Sequence, residues 1–177
     1  QSICSKVLTM YMLPAAFMAV IISIASPIIF RVLTTDGFHS AYTVVPFVAL
    51  SYMLKGPYII FLMGIIMKNK TSWQLSIEIV AAIVNIILNI LLIPLIGREA
   101  AAITTLVSYS ILVISSYVIV SRINPIPGSL IKPLFAMGIT IAVCLFTLVP
   151  GFNLNYFFWS PFSFILFSIS IFILFKK

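Results

Sequence analysis

Acidic residues are nearly missing from this chain: Asp36, Glu78 and Glu99 are the only three in 177 residues. With ten Lys and Arg, charged side chains make up just 7% of the sequence, where soluble domains carry about 25%. That shortage excludes an ordinary soluble surface. Histidine is as scarce, with His39 alone in an apparent loop, and the two cysteines, Cys4 and Cys144, stand apart in apolar surroundings. No metal-ligand spacing and no disulfide framework can be drawn from such a set, so both thiols read as inert. Neither a nucleophile–base pair nor a glycine-rich phosphate loop is present. The chain therefore reads as a non-enzyme with no catalytic residue, no metal and no cofactor. A net charge of +7 would suit nucleic acid only as a patch, and the basic residues are scattered. The sequence starts at Gln1, shows no cleavable signal peptide and reads as part of a longer protein.

What the chain has in abundance is apolar length. It is 63% hydrophobic, with a mean hydropathy of +1.27. Six apolar segments can be marked, at about 7–32, 42–67, 73–96, 100–120, 131–149 and 156–175. Each is near the roughly 20 residues that a helix needs to cross a bilayer. The runs are too long and do not alternate as barrel strands would. The expected fold is all-α, a polytopic transmembrane bundle of six spanning helices with short connections between antiparallel neighbours. Charge sets the expected orientation. Lys6, Lys68, Lys70, Arg122, Lys132, Lys176 and Lys177 fall on one side, whereas Arg31 and Arg98, with Asp36 and Glu99, fall on the other. The positive-inside rule then puts both ends in the cytoplasm and Gly97–Glu99 outside, with the Tyr156/Trp159 end.

The stretch Trp73–Thr105 is expected to organise the rest. Glu78, Asn85 and Asn89 lie within roughly 40° of one another on a helix, flanked by Gln74 and Ala82. Such a stripe avoids lipid, so it should face other helices or water. Asn85 and Asn89 can bind substrate hydroxyls or join helices. Lys55 is the boldest position, because it sits near the middle of an apolar segment, where a charge costs at least about 2.5–3.5 kcal/mol. Ser51, Tyr52 and Tyr58 lie one turn away on the same side, and Gly56-Pro57 should kink the helix there. Two readings of Lys55 stand open. It is a cation in a central cavity that meets an anionic or polyhydroxyl substrate, or it is the structural partner of Glu78. Glu78 in turn is either that partner or an ion-coupling group.

The most specific stretch is Val84–Pro94, V-N-I-I-L-N-I-L-L-I-P, followed by Leu95-Ile96-Gly97 and Ala100-Ala101-Ala102-Ile103-Thr104-Thr105. It resembles the N-x-x-x-N, I-P, G-x-x-G-A-A-x-x-T pattern of polysaccharide and O-antigen flippases. These belong to the superfamily that also holds multidrug exporters and the lipid II flippase. Lys68-Asn69-Lys70 ahead of that helix fits as well, and Ala100 stands where the family usually has a second glycine. The likeness covers Leu13 to about Arg122 and points to the carboxy-terminal half, one six-helix lobe of a two-lobe transporter. It implies alternating access in the bacterial cytoplasmic membrane. It also implies a polyprenyl-pyrophosphate-linked oligosaccharide as substrate, contact with membrane lipid and an amino-terminal lobe as partner. Lys55, Asn85, Asn89, Tyr52 and Tyr58 would be the substrate contacts. A drug or cation exporter of the same superfamily is the alternative. A membrane-embedded glycan polymerase or transferase is a more distant one, since the 31–41 connection offers only Asp36 and His39.

Overall fold

A chain this poor in polar side chains can satisfy its backbone in lipid only by forming helices or a closed barrel. The computed structural model describes residues 3–123, 137, 138, 140 and 141, and the described residues are helical with no strand. In order come α1 (Ile3–Leu33), a 3₁₀ segment (Asp36–Val44), α2 (Val45–Ile66), α3 (Thr71–Ile96) and α4 (Arg98–Ile123). Four helical stretches, Lys6–Leu33, Asp36–Ile66, Thr71–Ile96 and Arg98–Ile123, are long and apolar enough to cross a membrane. The expectation of six is thus met for four among the described residues. The expected spans at 131–149 and 156–175 lie outside the described residues, apart from the helical positions 137, 138, 140 and 141.

Local chemistry explains the boundaries. The expected second span, 42–67, is divided: α2 begins only at Val45, with Pro46 in its first turn. Proline there gives up a donor that a helix start leaves unpaired anyway. Pro57 does not end α2, which runs on to Ile66. Neither does Pro94 end α3. The turn from α2 to α3 uses Asn69 at φ +56, a conformation that asparagine tolerates better than most residues. The turn from α3 to α4 is tighter than expected. Gly97 alone makes it, at φ +65 and ψ −141, and Arg98 already belongs to α4. Ala100 is therefore a helical position, fully buried, and needs no glycine.

Among the described residues, α2 and not α3 makes contacts with every other helix, while α3 leans chiefly on α4. α2 buries Leu50, Met53, Leu54, Phe61, Leu62 and Ile65, whereas α3 buries only Ile77 and Ala81. The core joins Leu8, Met12, Ala16 and Val20 of α1 to Met53, Phe61 and Ile65 of α2, Ile77 of α3 and Val120 of α4. In lipid the hydrophobic effect does not drive helices together, so close approach at small residues matters more. Gly56 does this work: a Cβ there would run into the Tyr11 ring of α1.

Candidate functional site

The polar residues singled out in the sequence fall into three groups, each at a different helix contact. The first lies on α2 and α4. Lys55 occupies the middle of α2 and is exposed, with its Nζ 6.0 Å from the centre of the Tyr52 ring, at the outer edge of the cation–π range. Tyr52 is 60% exposed. Its ring lies 6.5 Å from that of Tyr109 on α4, tilted by 37°. Lys55 has no carboxylate within ion-pair distance among the described residues. The result is a cation beside an aromatic shelf on an otherwise apolar surface.

The second group joins α2 to α3. Tyr58 is 7% exposed, and its hydroxyl donates to Glu78 Oε1 at 2.6 Å. Gln74 Nε2 donates to the same oxygen at 3.2 Å. The Tyr58 distance lies in the range of short O–H bonds to a carboxylate. The third group joins α3 to α4. Asn89 Nδ2 donates to Asn85 Oδ1 at 3.0 Å, and Thr104 Oγ1 donates to Asn89 Oδ1 at 2.8 Å. The opposite face of α3 is open: Ile87 and Leu91 are 50% and 59% exposed.

The five substrate-contact candidates are thus not one constellation. Lys55 and Tyr52 come together, Asn85 and Asn89 come together, and Tyr58 turns inward to Glu78. Ser51 is buried, and its hydroxyl donates to the Phe47 carbonyl one turn back at 2.8 Å. The pairing of Lys55 with Glu78, one of the two readings of Lys55, is not formed. Tyr58 and Gln74 hold that carboxylate instead. Tyr109 and Thr104 are the residues that sequence reasoning missed as partners. Thr104 was visible inside the Ala100–Thr105 motif, but Tyr109 carried no signal beyond being a tyrosine in an apolar helix.

Elsewhere, His39 Nδ1 lies 3.6 Å from Asp36 Oδ1 in the 3₁₀ segment, as a surface pair. Among the described residues no group of three or more His, Cys, Asp or Glu is placed to hold a metal ion. Cys4 is partly buried, and burial pushes its thiol up from the ordinary value, which lowers its thiolate fraction. The chain matches no protein-family model, no curated protein and no solved structure.

Proposed function

We propose that this chain is one lobe of a transporter that carries a polyprenyl-pyrophosphate-linked oligosaccharide across the bacterial cytoplasmic membrane by alternating access. Lys55 carries the reading. It is a cation in mid-helix, free of carboxylate partners among the described residues and set beside two tyrosines. Maintaining such a charge in a membrane costs enough that it marks a polar path or an anionic ligand. A pyrophosphate supplies the anion, and the rings of Tyr52 and Tyr109 supply aromatic faces for sugar rings. The Val84–Thr105 pattern supports the family, and the Asn85–Asn89–Thr104 chain holds that patterned helix pair together. Glu78 favours the second reading, a drug or cation exporter, because an acid in a span can exchange with a cation. Its oxygen already accepts two hydrogen bonds, so it serves first as a clamp between α2 and α3.

The test is surface glycan display in cells lacking their own flippase, with membrane abundance measured in parallel. Lys55→Met keeps the apolar stem and should lower display at least about tenfold at normal abundance, the loss of one charge-assisted contact. Lys55→Arg should retain part of the activity, since a guanidinium also binds phosphate oxygens. Full display by Lys55→Met would refute the reading.

A further inference from the structure

A second feature lies where α2 meets α1. α1, the 3₁₀ segment and the first half of α2 enclose a groove of about 730 Å³. Its walls are apolar: Ala15, Ala19 and Ile22 of α1 face Val45 and Ala49 of α2, with Phe38 at one end. It follows α1 from Tyr11 to Phe30, about 28 Å of helix rise, longer than the ~15 Å of hydrocarbon in one leaflet. A long apolar groove of this kind fits a hydrocarbon chain better than a compact polar solute. Arg98 is the one charged residue of its lining, and it stands where α4 begins, at a membrane end of the bundle.

We propose that this groove holds one chain of an anionic phospholipid, with the lipid phosphate on Arg98. The local charges favour that occupant. Arg98 is exposed and has no carboxylate partner among the described residues. One nitrogen, Nη2, donates to Ser40 Oγ at 2.6 Å, which orients the guanidinium and leaves other N–H groups for a phosphate. Of the nearby acids, Glu99 Oε1 accepts from Thr43 at 2.8 Å and Asp36 faces His39, and neither lines the groove. A single guanidinium matches the net single negative charge of phosphatidylglycerol, whereas phosphatidylcholine brings its own cation beside the phosphate and gains less from Arg98. The bilayer itself supplies such a lipid. The groove shares Tyr52 with the Lys55 group, but its cation, Arg98, stands apart from Lys55, so the proposal does not rest on the transport reading.

Native mass spectrometry of the full chain, released from bilayers of phosphatidylcholine and phosphatidylglycerol, tests this. The wild type should retain one phosphatidylglycerol and no phosphatidylcholine. Arg98→Gln should lower retention about tenfold, the loss of one charge-assisted contact, and Arg98→Lys should restore part of it. Ala49→Trp, which fills the groove with the cation intact, should lower it as well. Ala15→Phe does the same from the opposite wall should Ala49→Trp fail to fold. Equal retention of the two lipids would overturn the proposal, as would an Arg98→Gln variant that binds normally. So would preferential retention of an added polyprenyl pyrophosphate over phosphatidylglycerol, or no retained lipid at all.

Discussion

At Gly56 the missing side chain lets α1 and α2 meet. The Tyr11 ring occupies the space a Cβ would need, and its hydroxyl donates to the Tyr52 carbonyl at 3.3 Å. In the helix that carbonyl is the acceptor of the Gly56 N–H, and the one Pro57 leaves unpaired is that of Met53. Tyr11 therefore adds a second bond to the Tyr52 carbonyl while packing on α2. Gly56→Ala should push the ring away and cost about 1–3 kcal/mol, as overpacking does. The double variant Gly56→Ala with Tyr11→Ala should recover part of that loss relative to the sum of the single changes. Thermal unfolding in detergent measures both. Strict additivity would mean that the two positions do not bear on one another.

Between elements, the α3–α4 pair shows what periodicity can and cannot reveal. The sequence places Glu78, Asn85 and Asn89 on one side of α3, and the structure gives all three hydrogen-bond partners on neighbouring helices or on α3 itself. Helical period identifies a polar face. It does not say which helix lies opposite, so the partners Tyr58 and Thr104 were not legible, and neither was the central place of α2. α2 is apolar apart from Ser51, Tyr52, Lys55 and Tyr58, and so weak a polar face carries little periodic signal of what surrounds the helix. The bare carboxylate and the bare lysine suggested an ion pair. Tyr58, one turn from Lys55 but buried where Lys55 is exposed, took the carboxylate instead. The helix boundaries of α1–α4 were legible to within a few residues, because long apolar runs mark the helices and charged or turn residues end them. Asn89→Leu removes both the bond to Asn85 and the one from Thr104. It should cost about 1 kcal/mol, near the mean for polar contacts between membrane helices. Thr104 keeps its second acceptor, the Ala101 carbonyl at 3.0 Å, which holds the cost down. Ile87→Leu on the open face should stay within about 0.5 kcal/mol. Equal losses from the two changes, read by the same unfolding assay, would show that the ladder contributes nothing to stability.

For the molecule as a whole, the contacts fix which ends lie together. Arg98 reaches Ser40, and Thr43 reaches Glu99. The 3₁₀ segment and the α3–α4 turn therefore share one side of the bundle. Lys68, Asn69 and Lys70 lie one crossing away, between α2 and α3. The shared side holds Arg31 and Arg98 with Asp36 and Glu99, whereas Lys6, Lys68, Lys70 and Arg122 gather at the opposite helix ends. Positive charge resists export, so the lysine-rich side should be cytoplasmic. Single cysteines at Asn69 and at Thr35, in a background lacking Cys4 and Cys144, separate the two orientations. Both positions are exposed, so reactivity reports sidedness and not burial. In intact cells an impermeant maleimide should label the Thr35→Cys variant and leave the Asn69→Cys variant unlabelled until the membrane is permeabilised. The reverse pattern would invert the topology and place Arg98, with the groove it guards, at the cytoplasmic leaflet.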